Sequence, residues 1–274
     1  MLHNKREFAN ALSAFEGGIT NDPSNVVNYS GAVIAMTLLG RPAADRGRIL
    51  ERYPDLSRMP GALVYELALN RAEAGEFDAA LGLFRNRFFG SEEGGTNVRD
   101  VWMEVKLLSA TGLARAGRCK EALSAADALG STVPGVAFTQ DGLLNLVNSP
   151  RANYLLGELL SSCGRKDEAE RRLRLSSQAT GATDIVWAWA SARALSDYDP
   201  ARWQERLSSA LSQLEFRARA GSHESWSLYS LGILQRALGH EDVARETLRQ
   251  ALLPPDSRMS HHFTRLALDG TTPR

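Results

Sequence analysis

Five glycines constrain this chain more than any other feature: Gly40, Gly75, Gly117, Gly164 and Gly239. Each closes an apolar run and opens a polar one. The copies read Leu-Leu-Gly-Arg to Arg41, Glu-Ala-Gly-Glu to Glu76, Arg-Ala-Gly-Arg to Arg118, Ser-Cys-Gly-Arg to Arg165 and Ala-Leu-Gly-His to His240. Their spacings are 35, 42, 47 and 75 residues, the last near two periods. A glycine just past a helix end accepts the left-handed backbone that stops the helix. Acidic residues then suit the N-terminal dipole of the next one, as in Phe77-Asp78-Ala79-Ala80, Lys120-Glu121-Ala122 and Lys166-Asp167-Glu168-Ala169. The period predicts antiparallel helix pairs of about 34 residues, none able to bury its apolar face alone and each burying it against the next.

The units so marked are 1–25 (partial), 26–60, 61–97, 98–149, 150–181, 182–222 and 223–257, followed by a tail over 258–274. The unit 182–222 is degenerate and is expected to turn at Tyr198-Asp199-Pro200 instead of at a glycine. Two segments break the rhythm. Residues 89–97 form a polar, Gly-rich loop, and 130–150 is an insertion carrying Pro134, Gly135, Gly142 and Pro150. Insertions in repeat arrays map to loops on one face, often the binding face; a packed loop without function suits the sequence equally.

Trp226 to Pro255 resembles a nearly complete tetratricopeptide repeat. Asn153 to Leu173 is similar, with Leu156-Gly157, Gly164, Ala169 and Leu173 in the expected places, and Phe8 to Asn25 resembles the second helix of a repeat, with Ala11 and Phe15. The unit at Gly40 departs from the pattern, with Asp45 where a small residue is expected, and the likeness fades between Thr180 and Ala220. The resemblance implies an all-α fold, an α-solenoid of antiparallel helical hairpins (a TPR-like superhelix), and a scaffold that holds a protein or peptide in its concave groove. A second set of residues, Arg85-Asn86-Arg87-Phe88-Phe89, Glu92-Glu93-Gly94-Gly95, Val98-Arg99-Asp100 and Trp102, resembles a segment of the C-terminal TPR region of large bacterial proteins with an N-terminal β-rich domain. It implies the alternative role of an accessory helical region in a larger, carbohydrate-related protein. The array also begins in mid-repeat, with only Met1 to Lys5 ahead of the first second-helix. That leads us to expect an N-terminal domain or subunit capping the open face, or a longer parent protein.

Composition narrows the partners. Lys plus Arg and Asp plus Glu both number 32, so no net charge attracts a phosphate backbone or an anionic membrane. We therefore expect neither nucleic acid nor membrane as partner. The longest apolar stretch, Gly31 to Leu39, is too short to span a bilayer and reads as a buried helix. No apolar run of leader length follows the first residues, which gives a cytoplasmic expectation. Cys119 and Cys163 belong to no C-x-x-C pair and read as two buried thiols in a reducing compartment, with a structural disulfide as the second reading.

No sequence pattern carries catalysis. His240-Glu241-Asp242 lacks the second histidine of a zinc-protease helix, and neither a nucleophile elbow nor a phosphate loop is present. We expect no enzyme activity, no cofactor and no metal. His261-His262 point about 100° apart on a helix, a poor chelate, and read as exposed tail. The candidates for partner binding come instead from the first helix of each pair. Placed by the glycines, one stripe carries Tyr65, Trp102, Glu104, Leu107, Arg151, Tyr154, Glu158, Trp226, Tyr229 and Arg236. Tyr, Trp and Arg dominate binding hot spots, and this stripe would suit an extended peptide or a helix. Each aromatic equally suits packing between repeats, the reading given to Trp187, Trp189 and Trp203.

Overall fold

In a computed structural model the chain is described over residues 2–90, 92–93, 95–220, 224–254 and 258–270. Gly94, His223 and Pro255 of the sequence reading lie outside the described residues, as do the side chains of His3, Glu92 and Glu93. The fold is all-α. Its helices are α1 (Leu2–Asn21), α2 (Val26–Leu38), α3 (Ala43–Leu50), α4 (Gly61–Glu73), α5 (Phe77–Gly82), α6 (Val98–Arg115), α7 (Cys119–Asp127) and α8 (Leu143–Val147). They continue as α9 (Pro150–Ser162), α10 (Lys166–Ser177), α11 (Ile185–Arg193), α12 (Pro200–Arg219), α13 (Ser225–Ala237), α14 (Glu241–Gln250) and α15 (Arg258–Leu268). A small antiparallel hairpin, β1 (Glu92–Glu93) with β2 (Thr96–Asn97), precedes α6.

The five glycines make one turn five times. Gly40, Gly75, Gly117, Gly164 and Gly239 all have φ between 70° and 87°, a backbone that a Cβ would strain. In each, the glycine N–H reaches back three residues and the next N–H reaches back five, as in Gly75 N to Ala72 O (3.0 Å) and Glu76 N to Arg71 O (2.8 Å). That is the Schellman arrangement, which satisfies carbonyls that the helix end would leave open. Glu76, Arg118, Arg165 and His240 then enter the second helix with nearly one conformation, φ −86° to −91° and ψ 56° to 62°. The degenerate unit turns differently. Asp199 caps α12 by accepting from the N–H groups of Ala201 (3.0 Å) and Arg202 (3.2 Å), with Pro200 as first helical residue.

Small residues set how closely paired helices approach. Ala80, Ala122, Ala169 and Ala244 occupy one register, each donating its N–H to the carbonyl of the capping residue, and all four are buried. Seven residues before the glycine, the first helices carry Ala68, Ala110, Gly157 and Gly232, and the last two face the Ala169 and Ala244 backbones. A Cβ on Gly157 would lie 2.7 Å from the Leu173 side chain, and one on Gly232 would lie 2.7 Å from that of Leu248. Two units break this rule. Trp203 takes the small-residue place in α12, its N–H bonded to Asp199 O, and α11 and α12 touch only sparsely. In the Gly40 unit Pro42 delays the helix by one residue, and Arg46, not Asp45, takes the small-residue place through its N–H bond to Pro42 O. Arg46 is 3% exposed. Its guanidinium donates to Asn70 Oδ1 (2.7 Å) and Arg41 O (2.6 Å) and forms an ion pair with buried Glu73.

The chain divides into two compact units, one of residues 1–105 with 133–139, the other of 106–132 with 140–274. In the first, Tyr65, Phe84, Phe89, Trp102 and Phe138 form an aromatic cluster with ring centroids 5.3 to 6.4 Å apart. In the second, Ala110, Ala122, Leu159, Leu160 and Ala169 join α6, α7, α9 and α10.

Two expectations are corrected. Cys119 and Cys163 are not free thiols: they form a disulfide with Cα atoms 5.3 Å apart. The first follows one punctuating glycine and the second precedes the next, so stacked repeats bring them together. The tail is not exposed either. Residues 258–268 form α15, with His261 and His262 at 1% and 0% exposure. Gly270, at φ 77°, ends it with the same backward N–H bond to Ala267 O (3.0 Å), 31 residues after Gly239. No helix among the described residues is long and apolar enough to cross a membrane.

Candidate partner-binding cleft

The structure sorts the predicted stripe into interior and surface. Tyr65, Trp102, Glu104, Leu107 and Tyr229 are between 0% and 4% exposed, so they cannot meet a partner at an open surface. The reason is packing. Tyr65 stacks on Phe89 (5.7 Å) and Trp102 meets Phe84 (5.3 Å) and Phe138 (5.8 Å), so residues from 89–97 and the insertion cover what the first helices would have shown. Tyr229 packs on Phe263 of α15 (6.1 Å).

The remaining candidates lie in the second unit. Trp226 is half-buried against Phe263 (5.4 Å) and Tyr229 (5.9 Å). The Arg151 guanidinium lies over the rings of Phe263 (4.4 Å) and Trp187 (5.4 Å), a cation–π arrangement. Tyr154 rests on Trp187 (5.7 Å). Burial, followed by the Glu158 carboxylate, pushes its phenol up to about 12, while Arg193 and Arg115 pull the other way. Glu158 itself is exposed.

Arg236 sits in a cleft of about 610 Å³ lined by Trp189 and Arg193 of α11, Arg236 and Ala237 of α13, Glu241 and Arg245 of α14, and Leu268, Asp269 and Gly270 at the end of α15. Arg236 donates from Nε and Nη2 to the two oxygens of Glu241 (2.9 and 3.0 Å) and from Nη1 to Ala267 O (2.6 Å). Arg245 reaches Glu241 at 3.5 Å. The Arg236 hydrogen bonds, with the nearby guanidinium charges, hold the Glu241 carboxyl below the usual range. Arg193 lies 4.8 Å over the Trp189 ring, whose Nε1 donates to Tyr198 Oη (3.1 Å). Last-turn arginines are what a helix dipole favours, so their presence alone points to no ligand. The cleft adds a second fact: three guanidiniums face two carboxylates beside an indole, and space remains between them.

The core reading given to Trp187, Trp189 and Trp203 holds, each being 6% to 7% exposed. On α11, sequence reasoning missed Arg193, which is exposed at its end. It missed Phe138 and Phe263 because it gave their segments to loop and tail. The 31-residue step from Gly239 to Gly270 was the available signal for the latter.

No family model matches the chain, and no curated protein matches it. Among solved structures it is similar to the crystal structure of yeast Tom70, at 13% identity and a TM-score of 0.26, over 97% of this chain and 59% of that one. The chain thus spans less than two thirds of that protein's length. A likeness at that score establishes neither fold nor function, and the all-α assignment stands on the helices described above.

Proposed function

We propose that the chain is a non-catalytic helical-repeat scaffold for a protein or peptide partner, and that the Trp189–Arg193–Arg236–Arg245 cleft receives an acidic stretch of that partner. The observation that carries this reading is the positive excess in an open cleft, where Arg193, Arg236 and Arg245 stand against Glu241 and Asp269. Guanidinium forks bind carboxylates with defined geometry, and the buried Trp189 ring backs the Arg193 guanidinium. Arg236 is fixed by Glu241 and Ala267 and acts as the rigid floor. Arg193 and Arg245, both well exposed at the surface, are the arms that a ligand meets. Use of the cleft by an extended segment fits the architecture, since first-helix ends from successive units line it.

The test is a titration of the protein with short peptides of acidic, neutral and basic sequence, followed by the Trp189 indole N–H resonance. The acidic peptide moves that resonance, and the effect weakens as salt is raised. Equal response to all three peptides, or a response confined to other indoles, rules the reading out.

A further inference from the structure

Trp203 stands in α12 where other second helices carry alanine, and a ring of that size keeps α11 and α12 from close contact. Between α12 and the chain entering α11 lies a cleft of about 470 Å³. Arg202, Arg206, Ser209 and Gln213 line it from one face of α12 at helical spacing, and Thr180 lines it from the connection between α10 and α11. All five side chains carry hydrogen-bond donors. Glu205 is the one carboxylate among the described lining residues. Arg206 is already fixed: its guanidinium lies 4.0 Å over the Trp203 ring, and Nη2 donates to Ala179 O (3.0 Å). Those contacts hold the side chain without neutralising it. Among the described residues neither Arg202 nor Arg206 pairs with a carboxylate, whereas Arg165, Arg174 and Arg236 of the same unit each do. Two like charges four residues apart on a helix repel. Burial, and then the Arg202 charge, push the Arg206 guanidinium below its ordinary value, as expected of a cation that has lost water without gaining an anion.

We propose that this cleft is a phosphate-binding subsite, separate from the Trp189 cleft, in which Arg202 and Arg206 grip the anion and Ser209, Gln213 and Thr180 complete its hydrogen bonds. Guanidinium forks fit phosphate oxygens in pairs. A phosphate group also carries more charge and more acceptor oxygens than a carboxylate. It can therefore use the hydroxyl and amide donors after both guanidiniums are engaged, where a carboxylate would leave some of them idle. The exposed Glu205 carboxylate opposes any anion, so binding needs both arginines at once. The group can arrive as free phosphate or on a phosphorylated serine of a polypeptide, since both present the same oxygens.

The Trp203 ring lies under Arg206 and reports the site. The full chain is titrated with inorganic phosphate at constant ionic strength, and the assigned Trp203 indole N–H resonance is followed. A saturable shift is expected, with affinity at least about tenfold weaker in Arg202→Glu and tighter in Glu205→Gln. Both side chains are exposed, so both variants keep the fold, which circular dichroism checks. A short peptide with one phosphoserine, beside its unphosphorylated form, separates the sources. Binding tighter than that of inorganic phosphate means that the group comes on a polypeptide, and equal or weaker binding means free phosphate; each bears out the subsite. A shift that does not saturate, an equal shift with the unphosphorylated peptide, or the same affinity in Arg202→Glu overturns the proposal. A phosphate response confined to Trp189 overturns it too, because the anion would then sit in the other cleft. The acidic-segment reading keeps its own test at Trp189, so the two can fail separately.

Discussion

A single extra residue at Pro42 moves α3 on by one place, and Arg46 inherits a position that alanine holds in four other units. A buried guanidinium is tolerable only with its partners, here Glu73, Asn70 and the Arg41 carbonyl. Arg46→Ala leaves Glu73 buried without its counter-ion and is expected to cost about 3–5 kcal/mol in a urea titration of the first unit. Replacing both partners by apolar residues of similar volume should cost much less. The sequence marks this unit as irregular but points to Asp45, because counting from the glycine ignores the delay at Pro42. The hydrogen-bond ladder corrects the count. Tyr154 gives a second test at this scale. Its phenol is raised to about 12, first by burial, against an ordinary value of 10. The folded state therefore holds that proton more tightly than the unfolded one, and stability falls as pH rises from about 10 to 12. Tyr154→Phe should remove one late-titrating phenol from the tyrosinate absorbance and lessen the alkaline loss of stability in that window.

At the scale of elements, the glycine punctuation was legible because a Schellman turn demands positive φ, and glycine meets that demand most cheaply. Two glycines in the unit 150–181 do different work. Gly164→Ala strains only the backbone, for about 1–2 kcal/mol, whereas Gly157→Ala drives a methyl into Leu173, for about 1–3 kcal/mol with displacement of α10. Thermal unfolding together with the hydrogen exchange of α10 separates the two: exchange in α10 should rise for the second variant and stay unchanged for the first. Helix α15 was illegible for a physical reason. Its Ser-His-His-Phe-Thr-Arg sequence is polar, and polarity reads as exposure until packing shows those groups enclosed. The disulfide was hidden likewise, since pairing follows from how turns of successive repeats stack and not from cysteine spacing. Closing a loop of that length stabilises by about 2–4 kcal/mol through the unfolded chain, so the reduced protein should denature at correspondingly lower urea.

For the whole molecule, half of the predicted first-helix stripe is interior: Tyr65, Trp102, Glu104, Leu107 and Tyr229 are buried. A stripe of first-helix aromatics is buried wherever later segments cover it, as Phe89 and Phe138 do in the first unit and Phe263 does in the second. What stays open is charged: Arg193 and Arg245 around Trp189, with Arg236 held by Glu241. Of the predicted stripe, Arg236 lines this cleft, and Arg193 beside it comes from the exposed end of a helix whose tryptophans are core, as expected. The claim that the protein grips an acidic partner segment there meets its most direct test in one affinity measurement. A fluorescent acidic peptide that binds the wild-type chain should lose at least about tenfold in affinity to Arg193→Glu/Arg245→Glu, since two charge-assisted contacts become repulsions. Equal affinity for the two proteins, with both folded by circular dichroism, would contradict it.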